Sequence, residues 1–446
     1  MKAKANMAEK KIKNQQAERQ GRIGTWEPED EAFWESEGKK HARRNLWISI
    51  PALFLAFAVW QIWSVTAVKL NDVGFAFTNE QLFTLAALPG LSGATFRIFF
   101  TFMPGMVGGK NWTVISTAAL LIPAIGIGVA VQNPDTSFAT MAILAALCGI
   151  GGGNFSSSMA NISFFFPKKA KGTANGLNAG LGNLGVSAVQ FITPIVIGAG
   201  ILVGEPQQLS SGENTWIQNA AFVWVIPIII VTIAALFGMD NLPNTKQSFK
   251  EQAIVFKNKH TWIMTWLYTM CFGSFIGYSA AFPLLIRSEF SEMNAIGLAF
   301  LGPLVGASFR PVGGWISDKL GGAMVTFWDT VIMIAATIGV VYFLNTHNFA
   351  GFLTMFIILF FTTGIANGST FRMIPMIFEA KQAAPVLGFT GAFAAYGAFL
   401  IPKVFGWSIS STGTANAALY IFIAYYVISL GVCWYFYSRK NAEIKC

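Results

Sequence analysis

Twelve long apolar runs constrain this chain more than any other feature of its sequence. Each has about 20 residues, the length that an α-helix needs to cross the hydrocarbon core of a bilayer. Only 11% of the residues are charged, against about a quarter in a soluble domain. The sequence therefore predicts an all-α membrane protein with twelve transmembrane helices. The runs are approximately 46–69, 82–104, 113–132, 138–166, 174–203, 217–238, 262–286, 295–317, 324–344, 350–378, 385–405 and 414–438.

A polar segment at 239–261 divides the runs into two groups of six. We interpret it as a cytoplasmic linker between an N-terminal half, 46–238, and a C-terminal half, 262–438. Residues 1–45 then form an N-terminal arm, and residues 439–446 form a tail.

Basic residues are distributed very unevenly about these runs. Of the 30 Lys and Arg, 24 lie on one side of the predicted membrane, in the arm, the linker, the tail and the loops between runs. Three more lie inside runs, and only Lys69, Arg287 and Lys403 lie near the other side. The positive-inside rule therefore places both termini on the cytoplasmic side of a bacterial inner (plasma) membrane. Because topology explains the net charge of +9, no nucleic-acid partner is predicted.

The two halves contain an internal repeat. Gly93–Arg97 (GATFR) recurs as Gly306–Arg310 (GASFR), and a Gly-Gly pair follows each copy at the same distance. Each copy lies in the second run of its half. The two arginines are therefore predicted at equivalent depths in the membrane.

Two six-helix halves related by an axis along the membrane normal are typical of major-facilitator transporters. In that fold the substrate site lies between the halves, near the midplane. Gly314–Gly321 (GWISDKLG) also resembles the loop motif that follows the second helix of a half in that superfamily. The first-half copy is degraded, with Gly105 where an acidic residue is expected.

Arg97 and Arg310 lie inside their runs, where a charge costs about 2.5–3.5 kcal/mol even on lenient insertion scales. The alternative is that each arginine snorkels or forms a salt bridge. However, no Asp or Glu falls deep in a run; the nearest, Asp329, is close to the start of the ninth, and the three histidines are expected in loops. Uncompensated guanidinium groups favour an anion, and their forked donors suit a small, flat one. Arg372, in the tenth run, is a possible accessory residue.

Other candidate residues are less specific. The fifth run carries two amides, Asn178 and Asn183, among closely spaced glycines. Plain helix packing accounts for most of those glycines. Phe155 and Phe371 occupy approximately equivalent positions in the two halves, with an ordinary core role as the alternative.

Two glycine-rich stretches are the most specific motifs, Gly153–Pro167 (GNFSSSMANISFFFP) and Gly176–Asn183 (GLNAGLGN). With Trp26–Asp30, Arg44–Ser49 and Ile401–Lys403, they resemble the bacterial nitrate/nitrite porters of NarK type. This resemblance covers nearly the whole chain.

The resemblance implies that Arg97 and Arg310 hold the anion, with Asn183 and Tyr268 as hydrogen-bond donors. It also implies an aromatic gate made of one ring from each half, Phe155 and Phe371. The chain departs from some relatives, which have a serine at the position of Gly391 or a glutamine at that of Arg372. These departures leave the anion site intact and bear on coupling.

We therefore expect an antiporter of nitrate assimilation that exchanges nitrate for nitrite by alternating access. The absence of a titratable group at depth favours antiport over proton symport. Proton-coupled nitrate uptake, or exchange of another small anion, is the alternative. A channel would not need a two-half repeat, and an enzyme would need a base, nucleophile or metal cluster. No cofactor or metal site is expected; the partners are nitrate, nitrite and membrane lipid, and the chain is expected to function as a monomer.

Overall fold

Helices make up almost all of the computed structural model, which describes residues 23, 26–200, 204–209, 212–242, 257–293 and 295–446. Twelve helices in this described part are long and apolar enough to cross a membrane, which confirms the predicted fold class. A short antiparallel hairpin, Gln207–Gln208 with Asn214–Thr215, follows the fifth. The helices are α1 Glu31–Lys69, α2 Asn79–Phe100, α3 Gly109–Ala130, α4 Phe138–Phe165, α5 Lys168–Gly198, α6 Asn219–Gly238, α7 Lys259–Glu289, α8 Ile296–Leu320, α9 Gly322–Asn345, α10 Phe349–Ile377, α11 Pro385–Thr412 and α12 Asn416–Ser438.

Most helix starts differ by a few residues from the sequence prediction, and that of α1 differs by 15. The helix of α1 begins at Glu31, well before the apolar run, because the Asp30 carboxylate caps it by accepting bonds from the first backbone N–H groups. The helix of α7 begins at Lys259, inside the segment predicted as linker. Consequently His41 and His260 lie in helices, and their placement in loops was wrong. Most of the predicted linker, 243–256, lies outside the described residues.

The internal repeat is present in the backbone conformation. Gly108 and Gly321, which begin the two Gly-Gly pairs, have φ of 93° and 87° and nearly equal ψ of 141° and 136°. A positive φ is readily available only to glycine, so each pair makes the same turn into the next helix. We call the face of the bundle with these two turns the basic face, and the other the opposite face.

Glycines bring α4 and α5 against α1. A Cβ atom on Gly151 would lie 2.1 Å from the Ala56 carbonyl oxygen, and one on Gly185 would lie 2.0 Å from that of Phe54. Helix packing therefore accounts for these glycines. A Cβ atom on Gly176 would meet nothing within 4 Å, so packing does not explain that position.

The two halves are joined firmly toward the opposite face. Arg287 of α7 forms an ion pair with Asp72, which follows α1, at 2.6 Å. The Ser187 hydroxyl of α5 donates a hydrogen bond to the Phe300 carbonyl of α8 at 3.1 Å. These contacts close the interface between the halves on one side of the predicted anion site.

Candidate substrate site

Arg97 is completely buried in α2, near the C-terminal end of that helix. Its Nε donates to the Gly152 carbonyl of α4 at 3.0 Å, and its Nη1 donates to the Gly391 carbonyl of α11 at 2.8 Å. Its Nη2 is buried with no hydrogen-bond partner among the described residues. The guanidinium is therefore held by both halves and keeps one nitrogen available to a ligand.

Three aromatic rings surround this guanidinium. Its central carbon lies 5.0 Å from the ring of Trp60, 4.6 Å from Phe155 and 5.1 Å from Phe272. Such cation–π contacts stabilise a desolvated cation by up to about 2 kcal/mol each. The Trp60 indole is itself fixed, because its N–H donates to the Pro89 carbonyl at 2.7 Å. The rings let a cation remain in the apolar interior without a carboxylate.

Arg310 occupies the equivalent position in α8 and is 8% exposed. Its Nη2 donates to the Tyr268 hydroxyl at 3.2 Å, and its guanidinium carbon lies 5.3 Å from the ring of Phe371. Its Nη1 is buried without a hydrogen-bond partner among the described residues. The structure thus brings together Arg310, Tyr268 and Phe371, three of the residues predicted for the site.

A row of stacked aromatic rings connects the surroundings of the two arginines. Phe155 stacks on Phe272 with ring centroids 6.4 Å apart, and Phe272 stacks on Tyr268 at 5.6 Å. Tyr268 in turn contacts Phe371 at 5.8 Å. Phe155 and Phe371 therefore belong to one aromatic row but are separated by two rings of α7.

A π-helical segment, Thr269–Gly273, interrupts α7 where these two rings lie. Such segments interrupt α-helices frequently at functional sites. It follows Tyr268 directly and contains Phe272, so it sets the spacing of the two side chains along α7.

The two predicted amides of α5 differ in their surroundings. Asn183 is 1% exposed, and neither its Nδ2 nor its Oδ1 has a hydrogen-bond partner among the described residues. A buried amide without partners is costly and is available to a ligand. Asn178 instead donates to the Ser158 hydroxyl of α4 at 2.9 Å, so it joins two helices of the N-terminal half.

Arg372 does not join this constellation in the structure. It lies near the basic-face end of α10, where its exposed guanidinium forms an ion pair with Asp318 of the GWISDKLG motif. Its neighbour Phe371 contacts Arg310, but the Arg372 charge is compensated by a carboxylate. The pairing links α10 to the end of α8.

Asp329 is more deeply enclosed than its sequence position suggested. It is 5% exposed in α9, and its Oδ2 has no hydrogen-bond partner among the described residues. An ionisable residue within a membrane helix is by default a candidate functional residue. Within the described part of the chain, Asp329 forms no hydrogen bond with Arg97 or Arg310.

Sequence reasoning missed four contributors to the site: Trp60, Phe272 and the carbonyls of Gly152 and Gly391. Phe272 lies four residues after Tyr268, so it was predictable as a neighbour on the same face of a helix. With 14 Trp and 41 Phe in the chain, no signal distinguished Trp60. A backbone carbonyl leaves no signature in sequence at all.

Comparison with known proteins identifies the class. The sequence profile of the Major Facilitator Superfamily matches residues 54–402. A D-xylose–proton symporter has a similar structure, with a TM-score of 0.66 over 88% of this chain and 97% of that one, at 15% identity. A bacterial homologue of the human lysosomal transporter Spinster, inward-facing and unoccupied, has a TM-score of 0.65 over 88% and 96%, also at 15% identity. The protein is a transporter of the major-facilitator fold, not an enzyme.

Sequence relatives narrow this class. The nitrate/nitrite transporter NarU of Escherichia coli K12 is 43% identical over 94% of this chain and 97% of its own length. The probable nitrate/nitrite antiporter NarK2 of Thermus thermophilus is 43% identical over 95% and 98%. The chain therefore belongs to the NarK-type porter family of the Major Facilitator Superfamily, as the sequence motifs predicted.

Proposed function

We propose that this protein exchanges nitrate for nitrite by alternating access around Arg97 and Arg310. The observation that carries the proposal is the presence of two buried guanidinium groups, one from each half, each with a terminal nitrogen that lacks a hydrogen-bond partner in the described part of the chain. A planar oxyanion accepts bonds from two such forks at once. The relatives named above, which transport nitrate and nitrite, support this choice of anion.

Arg97, Arg310, Tyr268 and Asn183 bind the anion in this proposal. The hydroxyl of Tyr268 already accepts a bond from Arg310, so its own proton is free to be donated to an anion oxygen. Asn183 supplies an amide donor from α5. Phe155 and Phe371 form the aromatic gate, with Phe272 completing the row between them.

Orientation follows from the distribution of charge. Most lysines and arginines lie on the basic face, so this face is cytoplasmic and the opposite face is periplasmic. Both termini then lie on the cytoplasmic side of a bacterial inner membrane. We further propose that the protein functions as a monomer in lipid. The close contact of the halves at the opposite face corresponds to an arrangement closed toward the periplasm.

Proton-coupled nitrate uptake is a second candidate function. The observation that favours it is Asp329, a buried carboxyl in α9 whose Oδ2 has no hydrogen-bond partner in the part of the chain that the structure describes. Proton carriers of membrane transporters are commonly Asp, Glu or His within a span. Antiport is favoured because, within the residues that the structure describes, the groups that bond to the two arginines include no carboxylate.

Counterflow into proteoliposomes tests the proposal. Vesicles loaded with nitrite should take up external nitrate at a rate that a protonophore does not change, whereas empty vesicles should take it up very slowly. Uptake into empty vesicles that collapses with the protonophore would establish proton symport instead. In that case nitrate uptake by the Asp329→Asn variant should no longer respond to the protonophore.

A further inference from the structure

The helix of α11 is interrupted in the middle of the span. A first helix ends at Ala394 and a second begins at Gly397. The last four carbonyl groups of a helix have no partner within it, and Gly391 supplies the first of these four. The N–H of Ala395, which would bond to Gly391 in a continuous α-helix, makes no such bond among the described residues, and the N–H of Tyr396 donates to the Phe393 carbonyl at 3.1 Å.

Arg97 satisfies this carbonyl from the other half of the protein. The bond from Arg97 Nη1 to the Gly391 oxygen is 2.8 Å long and buried. Carbonyl groups at the C-terminal end of a helix carry partial negative charge, so they attract a cation as an anion would. An oxyanion that accepts from both terminal nitrogens of the fork would use Nη2, which has no partner among the described residues, and Nη1, which the Gly391 carbonyl now occupies.

A second bond between the halves fixes the interruption to α2. The hydroxyl groups of Tyr396 and Thr95 lie 3.0 Å apart. Because the Thr95 hydroxyl donates its proton to the Leu91 carbonyl at 2.8 Å, Tyr396 is the donor of the bond between them. Thr95 is two residues from Arg97, and Tyr396 is five residues from Gly391. The bond between Tyr396 and Thr95 therefore keeps the Gly391 carbonyl opposite the Arg97 guanidinium.

The backbones also pack closely here. A Cβ atom on Gly90 of α2 would lie 2.4 Å from the carbonyl carbon of Ala398, and one on Gly397 would lie 2.4 Å from the Cα of Gly273 in α7. The interruption is therefore enclosed between α2 and α7.

We propose that Tyr396 is a positioning residue that holds the Gly391 carbonyl on Arg97, where it competes with the transported anion. This inference rests on the proposed exchange and explains why exchange needs an anion. When the halves separate at the opposite face, α2 leaves α11 and the bond to Gly391 breaks. Without an anion, a buried guanidinium N–H and a carbonyl both lose their partners, which is costly. A bound anion has already replaced the carbonyl, so the movement costs less.

Tyr396→Phe tests this competition by weakening the competitor. The apparent KM for nitrate in nitrite-loaded vesicles should fall about fivefold, the factor equivalent to one neutral hydrogen bond. The ratio of net uptake into empty vesicles to exchange should rise by a similar factor. Damage to the binding site would raise KM, so the direction distinguishes positioning from a merely structural role.

Thr95→Val removes the same bond from α2 and should give the same shifts, with little further change in the double variant. Tyr420→Phe, at a tyrosine that is 56% exposed, is the matched control and should leave both quantities unchanged. An unchanged or raised KM in both α2 and α11 variants, or loss of exchange per reconstituted molecule, would overturn this inference while the exchange function stands. Absence of counterflow in the wild-type protein would overturn the proposed exchange and this inference with it.

Discussion

At the scale of single residues, the two arginines differ in how firmly their guanidinium groups are held. Arg97 is fixed by two carbonyl groups and three rings, whereas Arg310 is bound by one tyrosine and contacts one ring. The first guanidinium is therefore the more rigid of the two. The second has more freedom to adjust to an anion as the halves move.

Replacement of either arginine by lysine should abolish transport. Arg97→Lys keeps the positive charge but loses the fork that reaches Gly152 and Gly391 together, and Arg310→Lys loses the one shared with Tyr268. We expect at least a hundredfold loss of nitrate exchange, equivalent to about 3 kcal/mol of lost charge-assisted hydrogen bonding. The measurement is counterflow per molecule of reconstituted protein, with Arg43→Lys, at an exposed arginine outside the site, as the control. Exchange near the wild-type rate in either variant would show that planar recognition is not required.

The sequence predicted the positively charged part of this site and missed much of its apolar part. Buried arginines are conspicuous in a membrane span, because their cost demands a reason. Trp60 and Phe272 are invisible among many aromatic residues whose ordinary place is the core. The partner of Arg372 was missed for a different reason: Asp318 lies 54 positions away and meets it only through the packing of α8 against α10.

At the scale of helices, apolar length predicted the number of spans but not where each helix begins. α1 starts 15 residues before its apolar run because helix formation needs capping and propensity, not lipid. The interruption of α11 was likewise not predicted, because Ala395 and Tyr396, the two residues between its helices, are neither proline nor glycine. Such interruptions depend on tertiary contacts, here with Arg97 and Thr95.

The segment that follows α6 is anchored to α1 by a charged cluster on the basic face. Asp240 accepts bonds from Arg44 at 2.6 Å, from Asn45 at 2.9 Å, and lies 2.9 Å from the ring nitrogen of His41. Burial alone would raise the pKa of Asp240, but the bonds from His41, Arg44 and Asn45 outweigh it and lower this pKa from 3.8 to about 2. The ionised carboxylate therefore stabilises the folded protein.

The stability that Asp240 contributes should depend on pH in a defined direction. Because its pKa is lower in the folded state, the contribution is fully present above about pH 4 and is lost as the pH falls toward 2. A shift of this size corresponds to about 2 kcal/mol at neutral pH. Asp240→Asn should lower the Tm of the purified protein at pH 7, and the difference from wild type should shrink toward zero near pH 2. Asp135→Asn, an exposed acid on the opposite face, should show no such difference; a deficit that persisted at pH 2 would contradict the assignment.

At the scale of the whole molecule, polar contacts join the two halves on the opposite face. The ion pair of Arg287 with Asp72 lies on the opposite face, and Lys69 approaches the same carboxylate at 3.4 Å. The bond from Ser187 to Phe300 lies between α5 and α8. An arrangement that is open toward the opposite face must break the ion pair of Arg287 with Asp72 and the bond from Ser187 to Phe300.

Removal of the ion pair should therefore shift the population toward that arrangement. Partly exposed ion pairs stabilise by up to about 1 kcal/mol, so Arg287→Gln should increase the open population about two- to fivefold. Ser187→Cys provides the reporter, since Ser187 is 5% exposed and becomes accessible only when α5 leaves α8. Alkylation of this cysteine by a membrane-impermeant maleimide, in a background with Cys446→Ser, should accelerate by that factor.

The same reporter separates closure by charge from closure by packing. Asp72→Asn should accelerate alkylation to a similar extent, and the double variant should add little, because both changes remove one interaction. Glu292→Gln alters an exposed acid on the same face and should leave the rate unchanged. High salt should reduce the difference between wild type and variants, since screening weakens exposed pairs. Equal alkylation rates in wild type, Arg287→Gln and Asp72→Asn would mean that packing between the halves, and not this ion pair, closes the opposite face.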